Sequence, residues 1–252
     1  PSKALEKTSG RREETGVTQN QDWKLLYKIG AIAALVAAVL FRRNIGAEVS
    51  LFTGVEAIPQ SVAEWYALLQ SNPFVSLAFL AVFDLFNYVL VGVLFLALGA
   101  AFWQTHKSMA GLALAGGLVG ITVNLASNIA LSMFSLSQQY AAAVSEVQKD
   151  ALLTAGQALL ATSDPLATFP GTGAYMSVLL IALAGLLFSL AMLRANRATA
   201  IVGLLASGCD LAYCLTLAFA PSLRALWLAS GGLFWMIWHL LAARILFKCA
   251  KA

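Results

Sequence analysis

Two aspartates are the residues of this chain best placed to do chemistry. Asp84 and Asp210 each fall near the middle of an apolar run long enough to cross a membrane. An ionised carboxylate at the centre of a spanning helix costs roughly 2.5–3.5 kcal/mol on insertion scales. Each aspartate therefore requires a partner, a water or a proton, and an intramembrane carboxyl is a functional candidate by default. The chemistry open to such a group is binding: of a proton, a small cation or the cationic group of a solute.

The neighbouring polar residues recur at helical spacing. Asp84, Asn87 and Tyr88 lie at i, i+3 and i+4, on one helix face. A second run carries Gly116, Gly120, Asn124, Ser127, Asn128 and Ser135, a third Gly203, Ser207, Asp210, Tyr213 and Cys214, and a fourth Gly231, Trp235, Trp238 and His239. Small residues let helices approach closely, and asparagine can hydrogen-bond across the contact. The expected ligand- or proton-binding set is Asp84, Asn87, Tyr88, Asn124, Asn128, Asp210, Tyr213 and His239, converging on one interior. The competing reading makes the aspartates hydrogen-bonded anchors between helices, with no ligand.

Other chemistries find little support. His239 is the one histidine inside an apolar run, so a bis-histidine haem lacks its second ligand; packing against Trp235, one turn away, is the simpler role. No His or Cys spacing suits a metal, and no cofactor motif is present. Cys209 and Cys214 are five apart on one helix and too splayed for a disulfide, while Cys249 lies in the basic C-terminal segment. Thr168 to Gly173 (TFPGTG) lacks the Walker lysine and reads as a turn before a helix. Hydrolase motifs are absent, so no catalytic residue is assigned and the chain reads more as a binder than an enzyme.

The elements that must position these residues follow from composition. Of 252 residues, 60% are hydrophobic and only 11% charged, against about 25% charged in a soluble domain. With a mean hydropathy of +0.79, this is an all-α polytopic membrane protein. Six spans are expected, from about Leu25 to Phe41, Phe74 to Trp103, Met109 to Ser135, Tyr175 to Leu193, Thr199 to Phe219 and Leu226 to Phe247. Pro1 to Asp22 reads as a polar disordered tail, and residues 23–252 as a single six-span domain.

Two long connections should carry structure. Ser61 to Gln70 has a capping-box pattern, Ser61 with Glu64, then Val62, Trp65, Tyr66 and Leu69 at helical spacing. A short interfacial helix should end before Pro73. Tyr140 to Ala161 should extend the third span or fold back as an amphipathic helix, with Val144, Val147 and Leu152 on its apolar side. The adjoining stretch, ATSDPLATFPGTG, should break helicity at Pro165 and Pro170. Asp84-Leu85-Phe86-Asn87-Tyr88 and Asp210-Leu211-Ala212-Tyr213 are also faintly alike, which suggests an inverted repeat pairing spans two and five.

The stretch from Phe74 through Asn128, with its long second span (FDLFNYVLVGVLFLALGAAFW), brief link (QTHKS) and Gly/Asn-rich third span (LAGGLVGITVNLASN), resembles a family of prokaryotic six-span membrane proteins known only as a domain of unknown function. That resemblance implies a six-helix integral membrane fold and brings no activity, cofactor or site residue with it.

Lys and Arg distribution favours both termini on the cytoplasmic side, with Arg42-Arg43 as the dissenting pair. The expected location is the plasma membrane of a prokaryote. The expected function is to bind or conduct a small solute or proton. The alternatives are an accessory subunit, docking through faces at Gly116, Gly120, Gly231 and Gly232, and an enzyme acting on a lipid or quinone with His239 as base. The lipid bilayer is the one partner composition requires; nothing points to nucleic acid.

Overall fold

The computed structural model describes residues 23–40, 59–163 and 171–251. The expected N-terminal tail, Arg42-Arg43 and the breaks at Pro165 and Pro170 lie outside the described residues. The helices are α1 (Trp23–Leu40), α2 (Val62–Ser71), α3 (Pro73–Phe79), α4 (Val82–Phe102), α5 (Lys107–Ser127), α6 (Ala130–Ala142), α7 (Glu146–Ser163), α8 (Thr172–Met192), α9 (Arg197–Phe219) and α10 (Arg224–Lys251). Among the described residues there is no strand, and six helical segments are long and apolar enough to cross a membrane. The 21 residues of α4 and of α8 each give about 31 Å at 1.5 Å per residue, matching a hydrocarbon core of about 30 Å.

Burial on α1 is inverted relative to a helix of a water-soluble bundle. On α1 the buried residues are small, Ala31, Ala34, Ala37 and Ala38, whereas Leu25, Ile29, Ile32, Val36 and Val39 are exposed. Gly30 sits against Ala97 of α4 and within 3.3 Å of Leu246 of α10, measured from where a Cβ would lie. Small residues inside and large aliphatic ones outside is the pattern of helices solvated by lipid. Helix α5 packs most extensively on α8, α8 on α9, and α9 on α10, while α4 touches both α5 and α10. These five helices close a ring, with α1 laid against α4 and α10.

A second, smaller core caps one end of the ring. Val62, Trp65, Tyr66 and Leu69 of α2 pack with Leu80, Ala130 and Met133. The expected α2 is present: Ser61 Oγ accepts from the Glu64 N–H at 3.3 Å and the Glu64 carboxylate accepts from the Gln60 N–H at 2.7 Å. That backbone donor holds the Glu64 carboxyl below its ordinary value. The Tyr66 hydroxyl donates to the Leu152 carbonyl at 2.8 Å, tying α2 to α7. Helix α7 does fold back, but Val144 and Val147 are 97% and 81% exposed rather than buried. The backbone extends at Ala143 (ψ 129°), so the helical register resets there and the apolar face expected across it is lost.

The second and third spans are interrupted, contrary to the continuous runs expected. Leu80 and Ala81 separate α3 from α4, with Ala81 at φ 61°, a left-handed conformation that L-residues adopt at a steric cost. Asn128 and Ile129 separate α5 from α6. The two breaks meet. Asn128 Nδ2 donates to the Ala81 carbonyl at 3.0 Å and Asn128 Oδ1 accepts from the Ala130 N–H at 3.0 Å. One side chain thus bridges both interruptions: it caps the Ala130 N–H and adds a second donor to the Ala81 carbonyl, which also accepts from the Asp84 N–H at 3.0 Å.

Candidate functional site

The two aspartates stand at different points of their helices. Asp210 is deep in α9, the fourteenth of its 23 residues. Asp84 is in the first turn of α4, not at mid-span, because the break at Ala81 starts the helix late. A carboxylate in the first turn is favoured by the positive end of the helix dipole. Counted from their helix starts, Asp84 is the third residue of α4 and Asp210 the fourteenth of α9, an offset of eleven residues.

Asp210 borders a cavity of about 40 Å³ lined from four helices: Tyr88 and Val91 from α4, Val178 and Ile181 from α8, Asp210 from α9, and Leu228, Gly232, Trp235 and His239 from α10. Trp235 Nε1 donates to Asp210 Oδ2 at 2.7 Å, the short end of the range for a charged acceptor. Gly231 makes this approach possible: Asp210 Oδ1 lies 2.6 Å from where a Gly231 Cβ would be. His239 Nδ1 is 2.7 Å from the Trp235 carbonyl, and its ring stacks edge-on against Trp238 with centroids 5.5 Å apart. His239 is 1% exposed. The expected pairing with Trp235 is present, and it orders Asp210, Trp235 and His239 in a row.

The rest of the expected set is dispersed. Tyr88 lines the cavity with Asp210 and His239. Asn87 is buried, with its Oδ1 unpartnered among the described residues. Tyr213 is buried beside Cys214 and Leu228 in a separate apolar cluster. Asn124 Nδ2 donates to Ser177 Oγ at 3.4 Å, joining α5 to α8, and Asn128 serves the helix breaks. Neither asparagine, nor Asp84, lines the cavity. The single polar interior therefore resolves into one cavity and several interhelical links.

The glycines divide similarly. A Cβ added at Gly120 would lie 2.9–3.2 Å from Leu180 and Ile181, Gly231 packs on Asp210, and Gly116 faces open space. Gly232 lines the cavity. Of the four proposed as docking residues, only Gly116 faces outward.

Trp235 as the direct partner of Asp210 was not legible in the sequence. The available signal was chemical: a buried indole N–H needs an acceptor, and acidic residues are few in these spans. Sequence reasoning also passes over Ser189 and Thr199. Their oxygens, with Ser207 Oγ and Trp238 Nε1, are buried and unpartnered among the described residues.

Comparison with known proteins gives no match to any family model, curated protein or solved structure.

Proposed function

We propose that this chain is an integral membrane protein that takes up and releases a proton at Asp210, in a water-sized cavity of its six-span bundle. The observation that carries this is the Asp210–Trp235 hydrogen bond at the wall of a 40 Å³ cavity. About 10–15 Å³ suffices for one water, so the space suits roughly three. Organic ligands occupy pockets of about 300–1,000 Å³, which argues against a solute bound whole.

Ligand chemistry narrows the choice further. A desolvated cation requires several oxygen ligands, six to eight for calcium and six for magnesium. The lining supplies one carboxylate and one phenol, and a carboxylate oxygen already accepts from the Trp235 indole. A proton needs only the carboxyl and a water to carry it. In this reading Trp235 supports the ionised carboxylate, and Tyr88 and His239 contact the cavity water. Asp84 anchors the start of α4. Both termini face the cytoplasm of a prokaryotic cell, as the Lys and Arg distribution favours.

The test is proton uptake by proteoliposomes enclosing a pH dye, under an imposed membrane potential. Wild type and Asp84→Asn should take up protons, and Asp210→Asn should not. Uptake by Asp210→Asn at the wild-type rate would defeat the proposal. A second reading, an accessory subunit of a larger complex, draws on the exposed Val144 and Val147 of the cap. Stoichiometric co-purification of another membrane protein, lost on Val144→Asp/Val147→Asp substitution, would favour it.

A further inference from the structure

The buried polar atoms left over by the cavity are not scattered. Thr199, Gly203, Ser207 and Asp210 fall at i, i+4, i+8 and i+11 of α9, so they share one face. Ser207 is fully buried and Thr199 is 1% exposed, and the side-chain oxygens of both are unpartnered among the described residues. From the facing helices come Ser189 of α8 and Trp238 of α10, both fully buried, with Oγ and Nε1 equally unpartnered. Ser189 Oγ and Trp238 Nε1 both converge on the space that a Gly203 Cβ would fill, and Ser207 Oγ crowds the space beside Gly185 together with the Trp235 ring. Along α9 these groups run from the indole that bonds Asp210, past Ser207 beside Gly185 and the Ser189 and Trp238 atoms at Gly203, to Thr199.

We infer that a file of water runs from the Asp210 cavity to the α8–α9 link, lined by Ser207, Ser189, Trp238 and Thr199. Successive positions on α9 are about 4.5–6 Å apart along the axis, and one water bridges such a gap with two hydrogen bonds of about 2.8 Å each. A buried water typically makes about three hydrogen bonds to polar groups that otherwise lack partners, and four such groups lie here within one seam. Serine and threonine hydroxyls both donate and accept, so they can pass a proton, whereas the Trp238 indole only donates and can orient water without relaying. The file ends two residues from exposed Arg197, where Asn196 Oδ1 accepts from the Thr199 N–H at 3.0 Å.

The role of this file as a proton path rests on the proposed function of Asp210; its hydration does not. Titratable groups lining the cavity with Asp210 are Tyr88 from α4 and His239 from α10; Cys209, Tyr213 and Cys214 neighbour it on its own helix, and Asp84 is one turn from Tyr88 on α4. Arg194 and Arg197 stand at the open end.

Silver ion, a thiol probe small enough to enter a water file, tests it in proteoliposomes. The background carries Cys209→Ala, Cys214→Ala and Cys249→Ala. Single cysteines are placed by Ser207→Cys, Ser189→Cys and Thr199→Cys, by Ala34→Cys in the fully buried face of α1, and by Ala195→Cys in the exposed link. Unreacted thiols are counted by maleimide after denaturation, and gel filtration confirms the fold of each variant. The file residues should react at least ten times faster than Ala34→Cys, and adding Gly203→Ala should slow Ser207→Cys relative to Thr199→Cys. Reaction at the Ala34→Cys rate overturns the file. That result alongside Asp210-dependent uptake leaves the proposed function standing. Fast labelling alongside Asp210-independent uptake leaves the file and removes the proposed function.

Discussion

Replacing Trp235 by phenylalanine keeps an aromatic ring and removes the N–H that reaches Asp210 Oδ2 at 2.7 Å. The size of the effect depends on the charge of the acceptor. A hydrogen bond to a charged group contributes about 1.5–3 kcal/mol, whereas neutral interhelical hydrogen bonds in membranes average about 0.6 and reach about 1.7 kcal/mol. A double-mutant cycle of Trp235→Phe and Asp210→Ala, which removes donor and acceptor in turn, isolates the pair from the volume lost with the indole. Measured by reversible unfolding in mixed micelles, the coupling should be about 0.6 kcal/mol where Asp210 is protonated. It should rise by about 1–2 kcal/mol as pH increases and the carboxylate ionises. A coupling below about 0.3 kcal/mol at every pH would refute the bond. A coupling that does not change with pH would refute titration of Asp210.

Other outcomes derive from the packing. Gly203→Ala places a methyl against Ser189 and Trp238 and should cost about 1–3 kcal/mol in the same unfolding assay. Gly208→Ala, which opens onto free space, should be neutral or stabilising by up to about 1 kcal/mol. Asn128→Ala removes the cap of α6 and the bond to Ala81; a loss of about 1–3 kcal/mol is expected, with faster hydrogen exchange at the Ala130 amide. Burial raises the Tyr66 phenol above its ordinary value, so its contribution to the cap is complete below about pH 10 and fades as pH rises beyond. Tyr66→Phe should remove that alkaline loss, read by limited proteolysis of α7.

The spans were legible because length and apolar composition are properties of the chain itself. Helix α2 was legible because Ser61 and Glu64 cap it locally. The break before α4 was not: neither glycine nor proline stands at Leu80-Ala81, and the left-handed Ala81 is held by the Asn128 side chain, 47 residues away. Asn128 did carry a local sign, since asparagine favours helix starts, but inside an apolar run it reads equally as an interhelical donor. The displacement of Asp84 to a helix end results from that one break. Which residue meets Asp210 was hidden for a different reason. Helical periodicity assigns Trp235 and His239 to a face of α10 without saying which face of α9 lies opposite.

Infrared difference spectroscopy across a pH titration in lipid tests protonation of Asp210 directly. The chain carries twelve Asp and Glu residues, so Asp210 is read from the wild-type-minus-Asp210→Asn difference, in which a protonated-carboxyl C=O band should appear as pH falls, with the same band in an Asp84→Asn background. A wild-type-minus-Asp210→Asn difference that holds no titrating carboxyl band would contradict a proton site at Asp210.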